Sequence, residues 1–208
     1  MKKTLIAIAI LVMVLGVAGQ SDATPLSIPG SVSPTSYETS PGVGAALASL
    51  STRFFGEDSS HHVWFSGTLN QYVRQNANGF MVFEFEIISD DSSEVRIKLA
   101  DITDWNGFST NVGTFSGVLP SVISRETPGY ALSYSYTYPA IDHNEWSGFW
   151  VETNTKYFKL NGTTQLQGTG NTRIQTYSPV ATPEPGSAML LGMGLLGFAG
   201  MLRRKFMA

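Results

Sequence analysis

Between Val63 and Tyr177 the chain runs in short segments where apolar and polar residues alternate, each rich in Val, Ile, Thr, Phe or Tyr and broken by Gly, Asn, Asp or Pro. Side chains of a strand point alternately to opposite faces, so a period of two specifies half-buried strands rather than helices. Seven to nine such segments within residues 63–177 predict an all-β, antiparallel sandwich of jelly-roll or immunoglobulin-like type. No repeat of constant period is visible, which disfavours propellers and solenoids. The chain of 208 residues contains no Cys, so one hydrophobic core has to hold the fold without disulfides, as chains of more than about 100 residues can do.

One pairing is specific enough to write down. Met81, Phe83, Phe85 and Ile87 alternate with Glu84 and Glu86, and Val95, Ile97 and Leu99 alternate with Arg96 and Lys98. Folding the chain about Asp91 sets Phe83 against Leu99, Phe85 against Ile97 and Ile87 against Val95, with Glu84 meeting Lys98 and Glu86 meeting Arg96 on the other face. Each such pair contributes roughly 0.2 to 1 kcal/mol. Further strands are expected at Tyr130 to Tyr138, with five large side chains on one face, and at Trp146 to Glu152, Lys156 to Leu160 and Thr172 to Tyr177. Asn161-Gly162 reads as a turn. Upstream, residues 24–50 form a Pro/Ser/Gly-rich arm ahead of a β-domain at 51–180, and the Ala-rich Val43 to Leu50 is expected to form one or two helical turns.

The two ends read as addresses. Met1-Lys2-Lys3 gives a positive start, Leu5 to Val17 is almost unbroken apolar sequence, and Ser21 and Ala23 are the small residues of a signal-peptidase site. Residues 1–23 are therefore expected to be a cleaved signal peptide, the apolar run being short for a spanning helix of about 20 residues. At the other end Pro183-Glu184-Pro185 precedes an apolar run, Ala188 to Leu202, closed by Arg203-Arg204-Lys205. The basic cluster keeps that end on the cytoplasmic side. As a helix the run spans about 22 Å, less than a hydrocarbon core of about 30 Å, and Gly192, Gly194, Gly197 and Gly200 weaken it further. Such a transmembrane helix suits transient retention better than permanent anchoring.

In its three-part order, residues 181–208 resemble the PEP-CTERM sorting signal of exported bacterial proteins. The resemblance implies an exosortase that cuts near Pro183, Glu184 and Pro185, a transient stay in the inner membrane, and delivery to the cell surface, outer envelope or medium, usually in bacteria that make extracellular polysaccharide. Phe206-Met207-Ala208 after the basic cluster departs slightly from the pattern. Gly192-x-Gly194-x-x-Gly197 matches a dinucleotide fingerprint but follows no strand and lies inside the apolar run, so it carries no cofactor reading. The blocks SGTLNQYVRQNANGFMVFEFEI and SGFWVETNTKYFKLNGTTQLQGTGNTRIQTYSPV are also similar to ectodomains of PEP-CTERM proteins, which implies architecture and destination only.

Charge narrows the partners. The formal net charge is -3, but residues 24–182 hold eight cations against fourteen acids, a balance of -6, so nucleic acid is not an expected partner. The expected partners are signal peptidase, exosortase, the membrane through the C-terminal helix, and extracellular polysaccharide.

No motif for chemistry stands out in the β-domain. His61-His62 would bind one metal only from a loop, because adjacent strand residues face apart, and a solvated turn is the plainer reading. Asp90-Asp91, Asp101 with Asp104, and Asp142-x-Asn144-Glu145 are candidate calcium loops without EF-hand spacing. There is no Gly-x-Ser-x-Gly elbow and no Cys nucleophile. No catalytic residue, metal site or cofactor is assigned, and the chain is read as a non-catalytic surface or extracellular-matrix component. The alternatives are a carbohydrate-binding module, with Trp105 as the exposed ring and Asn106 beside it for sugar hydroxyls, and a secreted hydrolase.

Overall fold

The computed structural model describes residues 24–181. They form twelve strands: β1 (Thr24–Leu26), β2 (Gly30–Val32), β3 (Val43–Glu57), β4 (Val63–Gln75), β5 (Met81–Ser89), β6 (Leu99–Thr103), β7 (Thr110–Gly117), β8 (Val122–Arg125), β9 (Ala131–Ser135), β10 (Trp146–Thr153), β11 (Tyr157–Gln167) and β12 (Asn171–Val180). The sheet order is β1-β7-β10-β5-β4-β3-β12-β11-β6-β9-β8-β2, with antiparallel ladders throughout. Six strands lie on each side of the β3/β12 junction, where the two halves share a single paired position, Asn171 with Glu57. The expected antiparallel layers are therefore present as the halves of one sheet folded over on itself, a nearly closed barrel.

The halves meet through their inward-facing residues. Phe83, Phe85 and Ile87 of β5, Phe149 and Val151 of β10, and Leu132 and Tyr134 of β9 are all buried. Tyr134 stacks on Phe149 with ring centroids 3.9 Å apart, and Phe149 stacks on Phe85 at 5.1 Å. The buried Tyr136 hydroxyl lies 2.9 Å from Ser147 Oγ of β10, giving a buried polar group a partner. Only Leu132, Tyr134 and Tyr136 of the expected Tyr130 to Tyr138 face are inside, since Tyr130 and Tyr138 are exposed.

The alternation in β5 is as expected, but its partner is not. Phe85 pairs with Gln71 of β4 on one side and Phe149 of β10 on the other, so no edge of β5 is left for residues 94–99. Glu84 pairs with Arg74 at 2.9 Å instead of Lys98, Glu86 accepts from Asn70 instead of meeting Arg96, and Arg96 pairs with Asp142. Cross-strand charge pairs of under about 1 kcal/mol cannot outvote two ladders. Residues 90–95 instead run along the end of β4, with Asp90 N and Glu94 N donating to Ser66 O and Trp64 O. The hairpin that does form is β4–β5, turned at Asn76 to Phe80 with Gly79 at φ 78°, a conformation glycine adopts without strain.

Two other local readings change. Asn161-Gly162 is not a turn: β11 continues through it, and its register against β12 shifts between Leu160 and Gly162, so the Gly accommodates a bulge. Val43 to Leu50 is the first half of β3, not helical turns, because β4 supplies backbone partners that a short isolated helix would lack. Within residues 24–50, β1 and β2 form the two outer strands, and the segment between β2 and β3 crosses the sheet. Glu38 N donates to Thr114 O, the Tyr37 hydroxyl to Gly117 O, and Ser40 Oγ to Glu84.

A buried arginine closes the seam near β1 and β2. Arg125, only 1% exposed, makes five hydrogen bonds to four acceptors: the carbonyls of Phe108, Trp105 and Gly129, and Thr110 Oγ1 of β7. Its planar fork suits this task, since donors leave one side chain in several fixed directions. Burial lowers its pKa.

Candidate functional site

β12 carries the chain to its tail and is held firmly where it ends. Val180 pairs with Tyr157, and its carbonyl accepts from Thr155 Oγ1 at 2.7 Å. Only Ala181 and Thr182 then separate the strand from Pro183.

A family model described as the PEP-CTERM protein-sorting motif matches residues 181–205. The chain carries a PEP-CTERM sorting motif. That match spans Pro183, Glu184, Pro185, Arg203, Arg204 and Lys205, all of which lie outside the described residues, as do Ser21 and Ala23 of the expected signal cleavage site. Neither a curated protein nor a solved structure matches the chain. The PEP-CTERM motif marks an exported, membrane-passing protein and an exosortase-processed sorting substrate.

Within the described residues the candidate binding positions separate. Trp105 is not the exposed ring: it is 1% exposed and packs edge-on against Phe83 at 5.1 Å, so it cannot stack on a sugar, whereas Asn106 beside it is exposed. The polar Asp104-Trp105-Asn106-Gly107 stretch suggested a surface loop, and the loop is there, with Asp104 at φ 71° and Gly107 at φ 84°. The ring nevertheless turns inward between the layers. Trp150 is also buried, Trp64 is half-buried, and Trp146 is 40% exposed.

Trp146 lines a groove of about 490 Å³ with Tyr37, Leu119, Pro139, Asn144 and Glu145. Asn144 Nδ2 donates to Asp91, and one Glu145 oxygen accepts from Asp142 N. Tyr37 was not foreseen as a lining residue. Its only sequence signal is that it is the sole aromatic in a Pro- and Ser-rich arm.

The histidines and acidic loops are engaged with one another. His61 Nδ1 lies 3.4 Å from Glu57, His62 Nε2 lies 3.1 Å from Glu94, and His143 Nδ1 lies 2.9 Å from Asp142. Asp58 accepts from Ser60, the Trp64 indole and the His62 backbone, which holds its carboxyl well below the usual range. Asp90 takes both ends of the Arg53 guanidinium and the Ser66 hydroxyl, and the Arg53 bond is the main cause of its lowered pKa. Asp142 is lowered first by the His143 backbone N–H and then by Arg96. Among the described residues no group of three or more His, Asp or Glu side chains is placed to hold a metal ion.

Proposed function

We propose that this chain is exported, cut by an exosortase at Pro183-Glu184-Pro185, and delivered as a non-catalytic component of the cell surface or of an extracellular polysaccharide matrix. The observation that carries the reading is the PEP-CTERM match at 181–205, which begins directly after β12 ends at Val180. A non-catalytic role is supported by how the ionisable side chains are used. Arg53, Arg74 and Arg96 each hold a carboxylate, Glu152 accepts from Asn76 and Asn111, and the three histidines sit beside acids. A hydrolase needs a nucleophile within reach of a base. Screening the exported protein against generic esterase, protease and glycosidase substrates tests this directly, and turnover abolished by a single substitution would overturn it.

The second reading is glycan binding, which the Tyr37–Trp146 groove favours over Trp105. Aromatic rings lie flat against the apolar faces of pyranoses while amide and carboxylate groups take the hydroxyls, and the groove offers both. Trp146 starts β10 next to Ile88, at the end of the sheet opposite Val180, so a glycan bound there would lie away from the membrane tail. Retardation of the exported protein in gels cast with polysaccharide, lost on Trp146→Ala and kept on Trp64→Ala, supports this reading; equal retardation of both variants contradicts it.

A further inference from the structure

The ladder that runs across the sheet fails at one place. β3 and β12 are neighbours, yet only Asn171 and Glu57 pair, and beyond that point the strands diverge around a groove of about 770 Å³ lined by Leu50, Phe55, Leu160, Arg173 and Gln175 among others. On the β12 side one position is capped. The buried Gln71 side chain donates to Tyr177 O at 2.8 Å and accepts from Tyr177 N at 2.7 Å, so its amide does what a neighbouring strand's peptide group would do. Groups of alternate residues share one side of a strand, so Gln175 and Arg173 turn their N–H and C=O the same way as Tyr177. No side-chain amide of this kind caps them.

On the other bank β3 presents its outer edge. Strand edges in monomeric proteins are usually blunted by Lys, Pro or a short length. β3 is fifteen residues long, and its first ten, Val43 to Thr52, contain neither a charge nor a proline. Val43, Leu47 and Phe55 stand 55%, 53% and 49% exposed along it. An excursion at Gly44 to Leu47, between the pairs Val43 with Gln75 and Ala48 with Val73, is the one irregularity in that stretch.

We propose that this edge is the interface between two copies of the chain, with β3 pairing antiparallel to β3 of a second copy about a two-fold axis. Three observations select a second copy over a different partner. The uncharged first ten residues of β3 meet their own copy without the like-charge clash that a two-fold axis otherwise imposes. The unpaired groups along the outer edge of β3 call for backbone hydrogen bonds, which the one free edge of a second β3 supplies in register, its other edge being held by β4. The exposed Leu47 and Phe55 are apolar enough to be covered by identical residues. The pairing concerns the exported domain alone, so its failure would leave the sorting reading untouched.

The test is the mass of the exported protein in solution by light scattering and sedimentation between about 1 and 100 µM, roughly the range where weak dimers with Kd near 1 to 10 µM resolve. A dimer is expected, with slowed amide exchange in residues 48–55 as concentration rises. The variant Ser49→Lys with Ser51→Lys places like charges about the axis at exposed positions and is expected to weaken association at least about tenfold, while Tyr138→Lys, at a site 83% exposed elsewhere on the surface, leaves it unchanged. A wild-type monomer over the whole range, a dimer that survives both lysines, equal disruption by Tyr138→Lys, or a different protein found on β3 in place of a second copy would each overturn the proposal. Circular dichroism of the lysine variant matching wild type separates lost pairing from lost folding.

Discussion

Replacing Arg125 with Met removes the most heavily bonded buried side chain among the described residues while keeping much of its apolar volume. The guanidinium serves the carbonyls of Trp105, Phe108 and Gly129 and the Thr110 hydroxyl. All four acceptors lose a charged donor, and the hydroxyl, which can still donate, suffers less than the three carbonyls, which can only accept. Each buried group left without a partner costs about 1 to 3 kcal/mol, while relief from burying a charge offsets part of the sum. The net loss is therefore about 3 to 5 kcal/mol, a large share of a stability of about 5 to 15 kcal/mol. In a domain of this size each kcal/mol moves Tm by about 2 to 4 °C, so a fall of about 6 to 20 °C is expected. Arg125→Lys should recover little of it, because one ammonium cannot face four acceptors set around a planar fork. Thermal and urea unfolding of the exported protein give both numbers. A Met variant melting within about 2 °C of wild type would refute the claim that Arg125 holds the seam between β7 and β8.

Phe85→Ala should cost about 3 to 5 kcal/mol by opening a cavity under the Phe149 and Tyr134 stack, whereas Lys98→Ala, at an exposed site, should change urea stability by less than about 0.5 kcal/mol. Asp90 and Asp142 have lowered pKa values in the fold, so the unfolded chain takes up protons first. The stability they lend is present above pH of about 4 and is lost as pH falls through their folded values; Asp90→Asn should flatten the acid limb of a stability–pH curve, and an unchanged limb would count against the Arg53 pairing. Burial raises the pKa of Tyr134, and of Tyr136 despite its bond to Ser147. An ultraviolet titration should thus leave these two silent until alkaline unfolding, and early ionisation of all eight tyrosines would contradict their burial. Replacing Glu184 with Ala should leave unprocessed protein in the inner membrane, visible as a larger band in membrane fractions; normal processing of that variant would argue against recognition through the motif.

What could be read without coordinates was local. Phe83, Phe85 and Ile87 declare a strand and its buried face by alternation alone, because face is a property of one strand. Their partners depend on which distant segments compete for the same backbone groups, and β10, sixty residues away, outbids the adjacent segment that charge matching favoured. The same limit explains Trp105: a polar loop sequence marks the backbone's place at the surface but not the direction of a large ring between layers. Gln71 shows the converse, a polar residue in a strand pattern whose meaning appears only when Tyr177 is beside it. Asn161-Gly162 suits a turn or a bulge equally, and only the length of β11 decides. The sorting tail was fully legible because its order of Pro-Glu-Pro, apolar run and basic cluster is linear and needs no folding to be recognised.

The intact mass of the protein recovered from the cells that export it bears most directly on the sorting reading. The account predicts a product that starts near Thr24 and ends near Pro183 to Pro185, with the apolar run and basic cluster gone. A product that still contains Met189 to Leu202 would contradict it.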